Sequence, residues 1–415
     1  MPVRHVAIAP SGFKESLSAE AAAEAIAAGV RRVLPAAVLD LIPLVDGGEG
    51  TARTLAAATP GARVVNLSAT GPTGRRVPAH FALLDPGTAV VEMAAVAGLS
   101  LVPRTRRDPG ATTTYGVGEL VRAALDAGAR RILVGCGDSG TSDGGAGALQ
   151  ALGARLLDSE GRELPYGGRH LTALDRVDPS GLDPRLARTE LRVACNPHNV
   201  LCGPQGVARI FGPQKGATPA QVEELSAALD RWARVLDRDL ARTTPAGTDL
   251  RRGLGTGASG GLGAGLAALG ARLLPRFDVL LDHLDLDARL ARADLVVTAE
   301  GALDRQTPRG KVPAEVARRA KLLNRPVLVL AGTLGDGAHE IRAVGADAYS
   351  GILPAPIALA EALGRGGEFL TDATERALRM IQLGARTART SPLRPPHPVS
   401  RAPQTAGTQR PPSVR

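Results

Sequence analysis

Apolar positions along this chain fall into short continuous runs that end in glycine-rich polar loops, alternating with stretches of helical spacing, the pattern of an α/β protein. Residues 3–9 predict a buried strand and 10–16 a turn. Ser18 then stands as a helix cap before Ala22, Ile26, Val30 and Val33, which share one helical face. A second strand over 38–45 ends at Asp46-Gly47-Gly48-Glu49-Gly50-Thr51 and leads into another helix. From about residue 62 the texture changes. Runs at 64–67 and 77–83, joined by Gly71-Pro72-Thr73-Gly74, read as antiparallel neighbours, followed by a strand at 89–93 and a helix to Asp126. Further strands are expected at 132–135 and 191–194, and Thr218, Pro219 and Gln221 spell a capping box at the head of a helix. The glycine-dense run 253–265 reads as a packed loop entering an apolar helix that reaches Leu274. Strand–helix alternation returns near residue 293, with strands at 295–298, 327–330 and 347–353 and helices to about Ala385.

The two ends of the chain therefore resemble each other more than the middle does. The predicted fold class is α/β: a Rossmann-like, doubly wound parallel-sheet domain formed by both termini (1–64 with 287–385), with an inserted second α/β domain of mixed sheet over 65–286. Residues 386–415, Pro- and Arg-rich without periodicity, are expected to be a disordered tail.

Composition narrows the classes. With aromatics at 2%, the core must be built from Ala, Val, Leu and Ile. A net charge of +9 suggests a nucleic-acid partner until it is located: the tail alone holds six arginines and no acid, so the body is nearly balanced and nucleic acid is excluded as its partner. No apolar run approaches the roughly 20 residues of a spanning helix, and the chain opens into a strand rather than a signal peptide, so no membrane partner and a cytoplasmic location are expected. Cys136, Cys195 and Cys202 lack metal-ligand spacing and read as reduced, buried thiols.

The stretch 133–150, LVGCGDSGTSDGGAGALQ, carries the chemistry most plainly. A strand, a glycine-rich loop and a helix N-terminus make an anion site, because the first N–H groups of a helix lack partners and its dipole favours negative charge. The spacing matches neither GxGxxG nor GxxxxGK[ST]. Of fifty basic residues only four are lysine, and three of these, Lys14, Lys215 and Lys311, sit in polar turns, where a compact positive charge suits a phosphate. Aspartates in glycine-rich loops most often satisfy local backbone. Yet Asp46, Asp143, Glu300 and Asp304 all follow predicted strands, where side chains converge in α/β folds. Carboxylates for Mg²⁺ or a hydroxyl proton, with lysines and N–H groups for phosphate, form the inventory of phosphoryl transfer. The chain lacks a Ser-His-Asp order and a HExxH zinc pattern.

Ten segments in order, SGFKESLSAE, PLVDGGEGT, GPTGRRV, VEMAAVAGL, YGVGELV, SDGGAGALQALG, GPQGVARIFGPQKGATP, GASGGLGAGL, EGALDRQTPRGKVPAEVA and LAGTLGDG, resemble the motifs of the type I bacterial glycerate kinase family, from Val3 to about Ala385. The resemblance implies ATP-dependent phosphorylation of D-glycerate with Mg²⁺, usually at the 2-hydroxyl to give 2-phosphoglycerate and ADP, by a split Rossmann-like domain with an insertion. On that reading Asp304, Asp46, Lys14 and Lys311 are catalytic, with Asp304 preferred over Asp46 as the base. Ser139, Thr141, Ser142, Gly144, Gly145, Lys215 and Glu300 bind substrate or phosphate, and Asp46 or Asp143 positions Mg²⁺. The expected partners are D-glycerate and ATP, with a homodimer left open. Where the family usually has acids this chain has Ser11 and Asn196, and where it usually has Gly-Ser-Ala-Thr this chain has Asp138-Ser139-Gly140-Thr141. These departures keep two alternatives open: a kinase for another small hydroxy acid, or a catalytically impaired protein that binds a hydroxy acid or nucleotide.

Overall fold

The computed structural model describes residues 3–241 and 243–390. Among the described residues thirteen strands form three sheets. The first is five-stranded and wholly parallel, in the order β13-β12-β11-β1-β2, from β1 (His5–Ile8), β2 (Val38–Leu41), β11 (Leu295–Leu303), β12 (Val327–Leu334) and β13 (Ala348–Gly351). The second is six-stranded and mixed, in the order β10-β9-β6-β5-β4-β3. It comprises β3 (Arg63–Thr70), β4 (Arg76–Asp85), β5 (Thr88–Glu92), β6 (Arg131–Gly135), β9 (Glu190–Cys195) and β10 (Arg272–Pro275). Its β3-β4-β5 edge is antiparallel and the remainder parallel. A small hairpin pairs β7 (Arg155–Leu157) with β8 (Arg176–Asp178).

Alternation along the strands explains the layers. In the parallel sheet Val6, Ile8, Leu295, Val297, Leu328 and Leu330 face the helices Ala19–Val33 and Gly366–Thr390, while Ala7, Val296, Val327 and Val329 face the other way. Both faces are covered, so the strands are apolar throughout. The second face shares one apolar cluster with Ala82, Leu84, Val90 and Ala194 of the mixed sheet, and the helices Thr51–Ala57 and Arg276–His283 contribute to it. The opposite face of the mixed sheet packs under Pro219–Asp239 and Ala258–Ala268. Helix starts follow local chemistry: the Ser18 hydroxyl accepts from the Ala21 N–H at 3.1 Å, and Thr218 with Gln221 forms the expected capping box.

Two expectations need correction. The apolar helix expected to reach Leu274 ends at Ala268, and Arg272–Pro275 is a strand, because Gly270 at φ 94° turns the chain back into the sheet. The last helix runs to Thr390, into the stretch assigned to the tail; residues 391–415 lie outside the described residues. Among the described residues no helix is long and apolar enough to cross a membrane.

Candidate active site

Two groups of loops carry the expected residues. At the ends of the parallel-sheet strands lie Lys14 after β1, Asp46 after β2, Glu300 within β11, and Asp304 and Lys311 beyond it. At the end of β6 lies the 136–145 loop of the mixed sheet. The groups meet backbone to backbone: a Cβ on Gly137 would stand 2.5 Å from the Gly48 nitrogen, so only glycine allows the approach. Lys14 Nζ reaches Asp138 Oδ1 at 2.6 Å, and Asp138 Oδ2 accepts from the Glu49 N–H at 3.3 Å.

The first group is densely charged. Arg276, which no sequence pattern singled out, donates to Asp46 Oδ2 at 3.0 Å and to the Gly310 carbonyl at 2.5 Å, tying the loop after β2 to the one before Val312–Leu322. Lys311 Nζ lies 3.3 Å from Asp304 Oδ2 and 3.8 Å from Glu300 Oε1. Glu300 Oε2 is buried and has no hydrogen-bond partner. Burial pushes the Glu300 carboxyl up to about 7; Lys311 opposes the shift, while Asp46 and Asp304 add to it. Asp304 is the reverse case. Burial would raise it, but the Gln306 N–H, Lys311 and Thr307 hold it below the ordinary carboxylate range. The loops cost the Lys14 ammonium some hydration, yet Asp138, then Asp46 and Glu300, outweigh that cost and raise its pKa.

The second group surrounds Lys215, which is 3% exposed. Its ammonium donates to Ser139 Oγ at 2.8 Å and to the Thr141 carbonyl at 2.6 Å. Burial drives its pKa down to about 7, with Asp143 opposing. Thr141 Oγ1, Ser142 Oγ and Ser259 Oγ are buried nearby without hydrogen-bond partners. Ser259, Gly260 and Gly261 turn through positive φ and press against Thr141 and Gly144. Gly144 is held from behind, its carbonyl accepting from Trp232 Nε1 at 2.8 Å, and Gly145 at φ 82° leads into Ala146–Ala151.

Asp143 does not face this cluster as an open metal ligand. It is fully buried, and its oxygens accept from the Thr114 N–H at 2.8 Å, the Thr114 hydroxyl at 2.8 Å, the Gly145 N–H at 3.1 Å and the Gly147 N–H at 3.2 Å. It braces the loop from inside, and burial raises its pKa against those donors. The two positions where acids were expected have local roles: the Ser11 hydroxyl donates to the Ala299 carbonyl at 3.1 Å, and Asn196 Oδ1 accepts from the His198 N–H at 3.0 Å.

Lysines and glycine-rich loops at the C-terminal strand ends of an α/β fold, beside a raised carboxyl, define a phosphoryl-transferring enzyme of the kinase class. Residues 6–382 match the glycerate kinase family, and the chain belongs to it. It is 44% identical to a glycerate kinase of Bacillus subtilis strain 168 over 93% of this chain and 98% of that one. With a glycerate 2-kinase of Escherichia coli K12 it shares 42% identity over 92% and 99%. A crystal structure from Salmonella typhimurium LT2, named provisionally as glycerate kinase 2, superposes with a TM-score of 0.75 at 43% identity, covering 93% of this chain and all of that one.

Proposed function

We propose that the protein transfers the γ-phosphoryl group of ATP to D-glycerate at its 2-hydroxyl, giving 2-phosphoglycerate and ADP, in the cytoplasm. The observation that carries the reading is Glu300: a buried carboxyl titrating near neutrality, one oxygen free, beside a lysine, at the end of a central parallel strand. A pKa near the working pH suits a general base. Asp304, preferred from sequence, is already held ionised by its hydrogen bonds, so the base is assigned to Glu300, with Asp304 orienting Lys311.

In this reading Glu300 Oε2 takes the proton as the acceptor oxygen bonds to phosphorus and the ADP oxygen departs. Lys14 and Lys311 hold phosphate oxygens. Lys215, Ser139, Thr141 and Ser142 form the opposite wall, where an ammonium and unpartnered hydroxyls suit the glycerate carboxylate and its free hydroxyl. The five- and six-stranded sheets are read as the cores of two domains, with these walls facing across their cleft.

Mg²⁺ belongs to the same reading. Among the described residues no three acidic, histidine or cysteine side chains form a cage, which suits an ion taking one or two carboxylates and completing its shell with phosphate and water. A Cβ on Gly48 would fall between Asp138 Oδ2 and Asp46 Oδ1, so these two carboxylates converge over that glycine and would hold the ion. When bound, Mg²⁺ neutralises charge on the transferring phosphate.

The test is incubation with ATP, Mg²⁺ and D-glycerate, with the product read by phosphorus NMR. A Mg²⁺-dependent 2-phosphoglycerate signal supports the reading; a 3-phosphoglycerate signal moves the acceptor; no product from folded protein refutes it.

A further inference from the structure

Glu92, the last residue of β5, belongs to the mixed sheet, yet its carboxylate is spent on the loop after β2. Oε1 accepts from the Gly50 N–H at 2.9 Å and Oε2 from the Ala52 N–H at 2.9 Å. The residue is 1% exposed. Burying a carboxylate is costly unless hydrogen bonds compensate, so a pair of backbone donors aimed at one acid from a different sheet marks a fixed junction. The loop so held, 46–50, presents Asp46 to Arg276 and the Glu49 N–H to Asp138. Gly50 itself sits at φ 90°, a left-handed conformation that favours glycine.

We infer that Glu92 is a positioning residue for the phosphoryl-transfer site: from the mixed sheet it fixes the 46–50 loop, and through it Asp46, against the Glu300 and Lys311 cluster. This rests on the kinase reading above. Its neighbours leave the work to the ionised form. His80 Nε2, from β4, lies 3.9 Å from Oε2 and lacks a hydrogen-bond partner; burial and Arg53 lower its pKa and so disfavour the charged ring. Burial pushes the Glu92 carboxyl up to about 7 against the pull of the Ala52 and Gly50 N–H groups; Glu49 adds to the rise and Arg53 opposes it. Ionised, the carboxylate accepts at both oxygens. Protonated, one oxygen becomes a donor and meets an N–H head-on, so one tether is lost.

The experiment uses the full chain and two readouts. Hydrogen exchange over 46–57, corrected for intrinsic rates, should show protection of the Gly50 and Ala52 amides that is stronger at pH 8 than at pH 6. Glu92→Gln should lose about tenfold of that protection and its pH dependence. In steady-state assays the same variant should show kcat lowered about tenfold with KM for glycerate little changed, and a shallower acid limb in the pH profile. Should Glu92→Gln not fold, judged by circular dichroism, Glu92→Asp, which keeps the charge but draws it back by one methylene, is read on protection of the Gly50 and Ala52 amides at pH 8 and on kcat, both of which should fall. Wild-type exchange over 46–57 in a folded variant, or faster exchange with wild-type kcat, overturns the inference. Wild-type protein that turns over no glycerate refutes the functional reading, while the exchange arm still decides whether Glu92 holds the loop.

Discussion

Lys14 Nζ and Asp138 Oδ1 lie 2.6 Å apart, an ion pair made across the meeting of the two sheets' loops. Asp138 holds φ at 50°, the left-handed region that favours glycine, at a position where the family resemblance expects glycine. The pair engages the ammonium that the proposed function assigns to phosphate oxygens.

Lys14→Met is therefore expected to cost activity and not stability. Both partners keep contact with solvent, where such a pair contributes about 0–1 kcal/mol. Removing a cation that stabilises transferring charge costs roughly 10²- to 10³-fold in kcat/KM. Steady-state kinetics in ATP, set beside thermal unfolding, separates the two; a large loss of Tm would make the residue structural.

Asp138→Asn should raise the Mg²⁺ concentration for half-maximal rate several-fold, since it removes one of the two carboxylates converging over Gly48. Asp143→Asn should instead act on stability, because Asp143 is fully buried among four donors, whereas Asp46 and Asp138 keep contact with solvent. A Mg²⁺ effect confined to Asp143→Asn would reverse these assignments.

Glu300→Gln should lower kcat by roughly 10²- to 10⁴-fold with little change in KM, the range for loss of a general base. Asp304→Asn should cost less. If Asp304→Asn proves the more damaging, the base is Asp304.

Stability of the ligand-free protein should dip near pH 7. The Glu300 carboxyl titrates near 4.5 unfolded and about 7 folded, so the folded state binds the extra proton between those values and stability falls as pH rises through them. Lys215 titrates near 10.5 unfolded and about 7 folded, so above 7 the unfolded state binds more protons and stability rises again towards 10.5. Unfolding measured from pH 5 to 10 should show the acid-side fall shrink in Glu300→Gln and the alkaline-side rise shrink in Lys215→Met. A flat profile in wild-type protein would remove both shifts.

Gly260→Ala should destabilise the fold by about 1–3 kcal/mol and weaken glycerate binding together. Its φ is 70°, and an added Cβ would collide with the Thr141 carbonyl, the acceptor for Lys215. Chemical denaturation and KM for glycerate check both effects, and a wild-type KM would detach this turn from the site.

Much of the architecture was legible in the chain itself. Continuous apolar runs ending in glycine-bearing polar turns, as at Val6, Ala7 and Ile8 before Gly12 and Lys14, specify buried parallel strands because both faces must meet apolar layers. Ser18 and Thr218 announce helix starts because their hydroxyls satisfy donors a few residues away. The motifs put the candidate side chains in loops within a few positions of a strand end, and the structure gathers those loops into two neighbouring groups. Tertiary structure alone decided which partners and how much burial each of these groups has. Arg276, far along the chain from Asp46, has no local signal, and Glu92 lies in a motif but acts on a loop of the other sheet. Sequence could not separate Asp143, sealed among four donors, from Asp46 and Asp138, converging over one glycine. Nor could it rank Glu300 against Asp304, since a carboxyl's proton affinity is set by burial and by neighbours brought from distant segments. Local patterns determine which elements form; desolvation and long-range contact determine which of their side chains are left free to act.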